Sequence, residues 1–496
     1  MKQGMALLLA ILLFSSFGFA RSYPQVVPRF ESTPCVFRLS SELSKLKKRC
    51  GFVVVLERHG FARGRTIRLA VTVLQRSPAQ KSANALIYLN GGPGASSAAL
   101  GAAFTGELAK AFISQEDLIL FDQRGIGFSQ PALNCGGDLV ACRNLYTRAG
   151  TEISAFNSTE NALDVADIRA VLGYEKLDVY GLSYGTLLAQ HVMRLDQSII
   201  RSVTLDAVLP VGINALMDNV VTKDRAIRRL LEACAVDVRC DQTFPNLFFQ
   251  LEQAFESVRN KPVPVSIRGG ERNGGFDLWL TEYMVYGFLI ASLYDTDANA
   301  RIPLFIHAIA IRDSRMLEQI LNPYFAQTGS SIEVDSFARG MYLSVVCREM
   351  VANSPKDWAT TLGFDVLPIY RDLSLEPSDI VFDDCKDWNA GAASQQDLEP
   401  VVSRIPTLVF TGRFDPVTPP EYARGVASHL ENVQVIEFIG GHGALQPGAN
   451  LSCSSKLFQA FLERPEVSLN GTCSSRGLYW AGVPDDQPPA SRPNVR

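Results

Sequence analysis

The sequence predicts an α/β fold: a mostly parallel sheet with helices on both faces and a helical domain inserted into it. Three observations carry this. Short apolar runs alternate with helical stretches along most of the chain, the pattern of strands that are covered on both faces. The run ending near Leu205 and the next one starting near Thr407 are separated by about two hundred residues, far beyond an ordinary connection, so that stretch must form a domain of its own. With 496 residues, 47% of them hydrophobic, the chain can bury one extended core plus an appended domain.

Each segment follows in order. Residues 1–20 carry Lys2, an apolar run from Ala6 to Phe14 and then Gly18-Phe19-Ala20, which reads as a signal peptide cleaved after Ala20. The run is short for a membrane span, and an uncleaved anchor is the alternative. Residues 21–210 read as the first part of the core. Phe52–Glu57 and Thr66–Leu74 form an antiparallel opening around the basic segment RHGFARGR, read as a solvated hairpin turn, and strands follow at Ala85–Leu89, Asp117–Phe121, Leu177–Tyr180 and Ser202–Leu205. Residues 211–395 read as a helical cap, with helices over Thr222–Cys234 and Ile302–Ile320. Residues 396–484 return to the core with strands at Thr407–Thr411 and Val433–Phe438, and 485–496, rich in Pro and polar residues, read as a disordered tail.

The chemistry centres on LDVYGLSYGT, Leu177 to Thr186, a β-prone run ending in Gly-x-Ser-x-Gly ahead of a helix. A tight strand-to-helix turn can hold a serine hydroxyl exposed beside a base, which makes Ser183 the candidate nucleophile. Gly181 and Gly185 lack the Cβ atoms that would crowd such a turn. An acid and a histidine should follow in that order. Asp415 stands at the end of the IPTLVFTGRF run, where it can fix the imidazole tautomer, with Asp383, Asp384 and Asp387 as rival acids. His442 lies in a glycine-flanked loop just past the last strand; the other four histidines, His59, His191, His307 and His429, read as structural or solvated. Upstream, ALIYLN opens into Gly91-Gly92-Pro93-Gly94, whose backbone can face a developing oxyanion. Gly92 is the first candidate donor, with Gly91 as the alternative, and the N–H of Tyr184 is the second.

YLNGGPGAS, FDQRGIGFS, YGLSYGT and TGRFDPVTPP with GGHGA resemble, in that order, the secreted prolyl and tripeptidyl aminopeptidase-like branch of the α/β-hydrolases. The resemblance runs from about Phe52 to about Cys473 and is weakest between about Pro210 and Gln395; relatives usually have His or Pro where this chain has Asn90. It implies an α/β-hydrolase fold and acyl transfer by a Ser-His-Asp triad. Asp122 and Arg124 match a segment read as a structural loop in which the two charges pair. In SVVCREM, Glu349 is the carboxylate matching a Cys-Ser-Glu-Asp series, although Arg348 and Met350 depart from it; the acid either receives a substrate's α-ammonium group or pairs with a cap arginine. The resemblance also favours bridges Cys347–Cys385 and Cys453–Cys473.

The ten cysteines fit an oxidising, secreted or periplasmic destination, and proximity favours Cys35–Cys50, Cys135–Cys142 and Cys234–Cys240. No Cys-x-x-Cys or His-Glu-x-x-His spacing occurs, so neither a metal nor another cofactor is expected. A net charge of −4 argues against nucleic acid, and no later stretch predicts stable membrane insertion. The expected partner is a peptide or small ester. Two classes stay open, an aminopeptidase releasing proline or a short peptide and a carboxylesterase, with a non-catalytic binding protein behind them.

Overall fold

The computed structural model describes residues 26–61, 63–76, 82–268, 275–328, 337–352, 366–475 and 477–484. The signal-peptide and tail expectations, 1–20 and 485–496, fall outside these residues.

Its strands in chain order are β1 (Arg29–Ser32), β2 (Lys47–Leu56), β3 (Thr66–Gln75), β4 (Asn84–Leu89), β5 (Asp117–Phe121), β6 (Lys176–Leu182) and β7 (Ile200–Asp206). A hairpin of β8 (Val263–Ile267) and β9 (Phe276–Leu280) stands apart, and β10 (Thr407–Gly412) and β11 (Val433–Phe438) complete the set. The main sheet has nine strands in the order β1-β2-β3-β5-β4-β6-β7-β10-β11. The first three strands are antiparallel, and from β5 onward every neighbour is parallel. Alternate residues feed opposite faces. Ile87, Ile119 and Val179 pack under the helices Ser158–Leu172 and Tyr184–Leu195, whereas Leu86, Tyr88, Leu118 and Tyr180 meet Phe104, Phe112 and Phe458 on the other side. Burial on both faces explains why these strands read as continuous apolar runs.

The strand expectations hold, with β1 added at the edge. Between β7 and β10 the chain is mostly helical and builds a separate core, which also takes in Phe414 at the base of the sheet's C-terminal edge. Two details differ from the sequence reading. The insertion contains the β8–β9 hairpin, and the expected helix over Ile302–Ile320 is two helices, Ile302–Ala310 and Ser314–Thr328. The break has a local cause: Arg312 adopts φ 56°, its guanidinium donates to the Ser257 and Lys261 carbonyls, and the Asp313 side chain accepts from the Arg315 and Met316 N–H groups.

All five disulfides form as paired from sequence: Cys35–Cys50, Cys135–Cys142, Cys234–Cys240, Cys347–Cys385 and Cys453–Cys473. No helix among the described residues is long and apolar enough to cross a membrane.

Candidate active site

Ser183 stands between β6 and the helix Tyr184–Leu195 with φ 57° and ψ −124°, a conformation that side chains other than glycine rarely take. The turn is tied at both ends. The Ser183 N–H donates to the Asp206 carbonyl at 2.9 Å, and its own carbonyl accepts from the Thr186 N–H at 2.8 Å. A Cβ at Gly185 would lie 2.0 Å from the Leu89 carbonyl oxygen, and one at Gly181 would lie 2.4 Å from the Gly185 oxygen. Only glycine at both positions lets helix and sheet close this tightly, and Ser183 is left partly exposed at the sheet's C-terminal edge.

The glycine loop after β4 packs directly on this turn. A Cβ at Gly91 would lie 2.9 Å from the Ser183 Cβ and 3.5 Å from its Oγ. Asn90 organises the loop: its Oδ1 accepts the Gly91 N–H at 2.8 Å, and its Nδ2 donates to the Ala95 and Ser96 carbonyls at 3.1 and 3.2 Å. Since the Gly91 N–H is already engaged, the geometry favours Gly92, at φ 116°, over Gly91 as a donor. Tyr184 opens the helix, where N–H groups have no intrahelical acceptor.

The fully buried Asp415 follows β10. Its Oδ1 accepts the Val417 and Thr418 N–H groups, both at 2.9 Å, and its Oδ2 accepts the Thr418 hydroxyl at 2.6 Å and faces His442 Nδ1 at 2.8 Å. Burial opposes charging His442, but the attraction and hydrogen bond of Asp415, helped by Asp206, hold its pKa above the ordinary imidazole value. The hydrogen bonds of the ring run through Nδ1, and among the described residues Nε2 has none.

The loop that carries His442 is held by partners that the sequence reading did not single out. The His442 N–H donates to the Tyr294 carbonyl at 2.8 Å, and the Tyr294 ring lies 4.4 Å from the imidazole. The Gly441 N–H donates to Thr296 Oγ1 at 3.1 Å, so the insertion holds this loop from above. From below, the buried Asp206 accepts the Ala444 and Leu445 N–H groups at 2.8 and 2.9 Å and the Tyr180 hydroxyl at 2.8 Å.

Other candidates lie elsewhere. Asp383 pairs with Lys386 and Asp384 with Arg339 along the helix Pro368–Trp388, and the Asp387 carbonyl accepts from Arg143. His307 bonds Gln250, His429 is exposed, and burial drives His191 down to about 4. His59 is not a solvated turn residue: both ring nitrogens are engaged by carboxylates. Asp122 and Arg124 do not pair with each other. Asp122 accepts from Ser96 Oγ and the Ser97 and Phe128 N–H groups, each at 2.8 Å, whereas the fully buried Arg124 grips Asp164 through two 2.7 Å bonds.

Glu349 lies behind the Ser183 turn, where its hydrogen-bond partner is Ser158. It is buried, with Oε1 accepting the Ser158 N–H at 2.8 Å and Oε2 the Ser158 hydroxyl at 2.7 Å, and Ser158 Oγ lies 2.9 Å from the Tyr184 hydroxyl. Its oxygens therefore serve a helix start behind the Ser183 turn, and burial pushes its pKa up to about 7. A cavity of 220 Å³ lined by Gln190, Val211, Ile213, Val401 and Tyr422 includes none of Ser183, Asp415 or His442.

Comparison with known proteins agrees with this architecture. The model of the alpha/beta hydrolase fold matches residues 84–243 and that of the TAP-like protein matches 378–473. YuaR, an Escherichia coli (strain K12) protein named as a hydrolase, is 27% identical over 441 residues, 83% of each chain. The tripeptidyl aminopeptidase of Streptomyces lividans is 30% identical over 193 residues, which span 32% of this chain and 35% of that one. The solved structure of MGS-M2, an alpha/beta hydrolase enzyme from a Medee basin deep-sea metagenome library, has a TM-score of 0.39 and 12% identity, covering 82% of this chain and 96% of that one. The chain thus has the alpha/beta hydrolase fold and is similar to TAP-like proteins over residues 378–473.

Proposed function

We propose that the protein is a serine hydrolase that acts on peptides as an aminopeptidase, releasing proline or a short peptide from a free N-terminus. The observation that carries the reading is the Asp415–His442 hydrogen bond, set beside a strained strand-to-helix turn that presents Ser183. His442 Nε2 takes the Ser183 proton as Oγ bonds to the substrate carbonyl carbon. The oxyanion is held by the N–H groups of Gly92 and Tyr184. As the bond to the leaving nitrogen breaks, His442 gives that nitrogen the proton, and a water molecule activated by the same base then releases the acyl group from Ser183. Asp415 keeps Nδ1 protonated and steadies the imidazolium. The helical insertion, residues 211–395, acts as a cap that shapes the acyl pocket. No metal or other cofactor enters this scheme.

The similarity to the tripeptidyl aminopeptidases supports a peptide substrate. A second reading, a carboxylesterase for small esters, is favoured by one observation: Glu349, the acid that the resemblance offered for the substrate ammonium, is occupied by Ser158. Five disulfides support a secreted or periplasmic destination after signal-peptide cleavage. The test is a panel of chromogenic amides and esters with free and blocked amino ends. Turnover of free-ended peptide amides above blocked ones sustains the aminopeptidase, whereas turnover of esters alone hands the site to the esterase.

A further inference from the structure

The strand order sets a geometric demand on the site. Ser183 follows β6 and His442 follows β11, with β7 and β10 between them. At about 4.8 Å per strand, the loop that carries His442 must reach back about 14 Å across the ends of two strands to meet the serine. It does reach: a Cβ at Gly443, the residue after His442, would lie 3.1 Å from Cδ1 of Leu182, the residue before Ser183. A loop that carries Gly440, Gly441 and Gly443 has little intrinsic stiffness, so that path needs an anchor along its way.

Asp206 stands where the loop crosses. It is the last residue of β7, in register with Leu182 of β6 on one side and Phe410 of β10 on the other. Its carbonyl accepts the Ser183 N–H at 2.9 Å, while its side chain takes the base loop, Oδ1 accepting the Ala444 N–H at 2.8 Å and Oδ2 the Leu445 N–H at 2.9 Å. The next residue, Ala207, is held at φ 59° with its N–H on the Phe410 carbonyl at 3.1 Å, a conformation that persists only where the surroundings impose it. The carboxylate is fully buried, and its third donor is the Tyr180 hydroxyl at 2.8 Å, whose ring packs against Tyr88, Phe112 and Phe458. All three donors are neutral, and the cation that faces this charge is His442 once it is protonated. We infer that Asp206 is a positioning residue of the site: one carbonyl and one carboxylate hold the Ser183 turn and the His442 loop in a single register, with a negative charge set toward the imidazolium that forms when the serine proton is taken. Asp415 fixes the tautomer of the ring, and Asp206 fixes where the ring stands.

This role rests on the reading of Ser183 and His442 as nucleophile and base, and the experiment separates the two claims. The readouts are kcat/KM for p-nitrophenyl acetate and the rate at which a fluorophosphonate labels Ser183. Asp206→Asn keeps the size of the side chain but loses the charge and one acceptor. Both rates should fall about 10- to 100-fold, the scale of a small misplacement at a reacting group. The acid limb of kcat/KM should also move to lower pH, because the imidazolium has lost a favourable charge. A role confined to folding would lower the melting temperature yet leave the labelling rate and the acid limb of the folded variant in place, and that result overturns the inference. If the Asn variant does not fold, Tyr180→Phe decides: it removes one donor from the carboxylate, so both rates should fall about fivefold, the scale of one hydrogen bond, and unchanged rates overturn the inference. Wild-type turnover and labelling that do not depend on Ser183 overturn the underlying reading and the role of Asp206 with it.

Discussion

The molecule holds two histidines against carboxylates at nearly the same distance, and the two rings are engaged differently. His442 meets Asp415 at 2.8 Å through Nδ1 alone. His59 meets Glu160 at 2.6 Å through Nδ1 and Asp167 at 3.1 Å through Nε2, and Asp164 lies 3.8 Å from Nε2. Burial opposes the charge on His59, but the surrounding carboxylates outweigh it and lift the ring to about 9, so it is a fixed cation at neutral pH. The contrast teaches that a close carboxylate does not make a base. What differs is the number of ring nitrogens engaged: one in His442 and both in His59.

The sharpest way to break this comparison is Ser183→Ala, which should lower turnover by about four to six orders of magnitude while the protein melts as before. Loss of labelling by a serine-directed fluorophosphonate checks the same residue, and wild-type rates in a purified variant would end the argument. Next in size, Asp415→Asn should cost about four orders of magnitude in kcat through the wrong imidazole tautomer. The pH profile adds a sign. Because Asp415 raises His442 above its usual value, the acid limb of kcat/KM should lie above the reference of about 6.5 and move down in the Asn variant. A limb that stays in place would separate the pair.

Smaller effects sharpen the contrast. Glu349→Gln weakens the charge-assisted grip on Ser158, which touches Tyr184 beside Ser183, so kcat should fall about tenfold with KM nearly constant. A KM change confined to substrates with a free amino end would return the residue to ammonium binding. His59→Gln should leave kcat unchanged and lower stability by roughly 1–3 kcal/mol at neutral pH. The folded pKa of His59 lies above the unfolded one. Its contribution is therefore complete below about 6.5 and disappears as pH rises through about 9. Melting curves at pH 6, 8 and 10 should converge for wild type and variant at the alkaline end; a constant gap would mean that charge is not the cause.

Much of the fold was legible because the strands are buried on both faces and announce themselves as apolar runs, and because the turn around Ser183 is flanked by Gly181 and Gly185. The candidate site was legible to the extent that each member sits at a strand end. What escaped were contacts made across the chain. Tyr294 and Thr296 belong to the insertion yet fix the His442 loop, and the strand-end acid Asp206 works by accepting backbone N–H groups that no local pattern reveals. Asp122 and Arg124 misled because adjacency in sequence suggested pairing, whereas the loop sends them to opposite sides, toward Ser96 and Asp164. Glu349 was placed by its neighbours in the chain, and its partner, Ser158, is nearly two hundred residues away.

The backbone of Gly441 has a consequence for anyone who would re-engineer selectivity. A Cβ there would lie 2.3 Å from the Leu293 carbonyl oxygen and 2.4 Å from that of Tyr294, and one at Gly440 would lie 2.6 Å from Thr296 Oγ1. The insertion is therefore not an interchangeable module. Replacing it with a foreign helical segment would discard the surface against which the His442 loop is moulded. Variation that spares Leu293 to Thr296 and changes residues farther along the helices leaves that mould intact, which makes those positions the natural ones for library design.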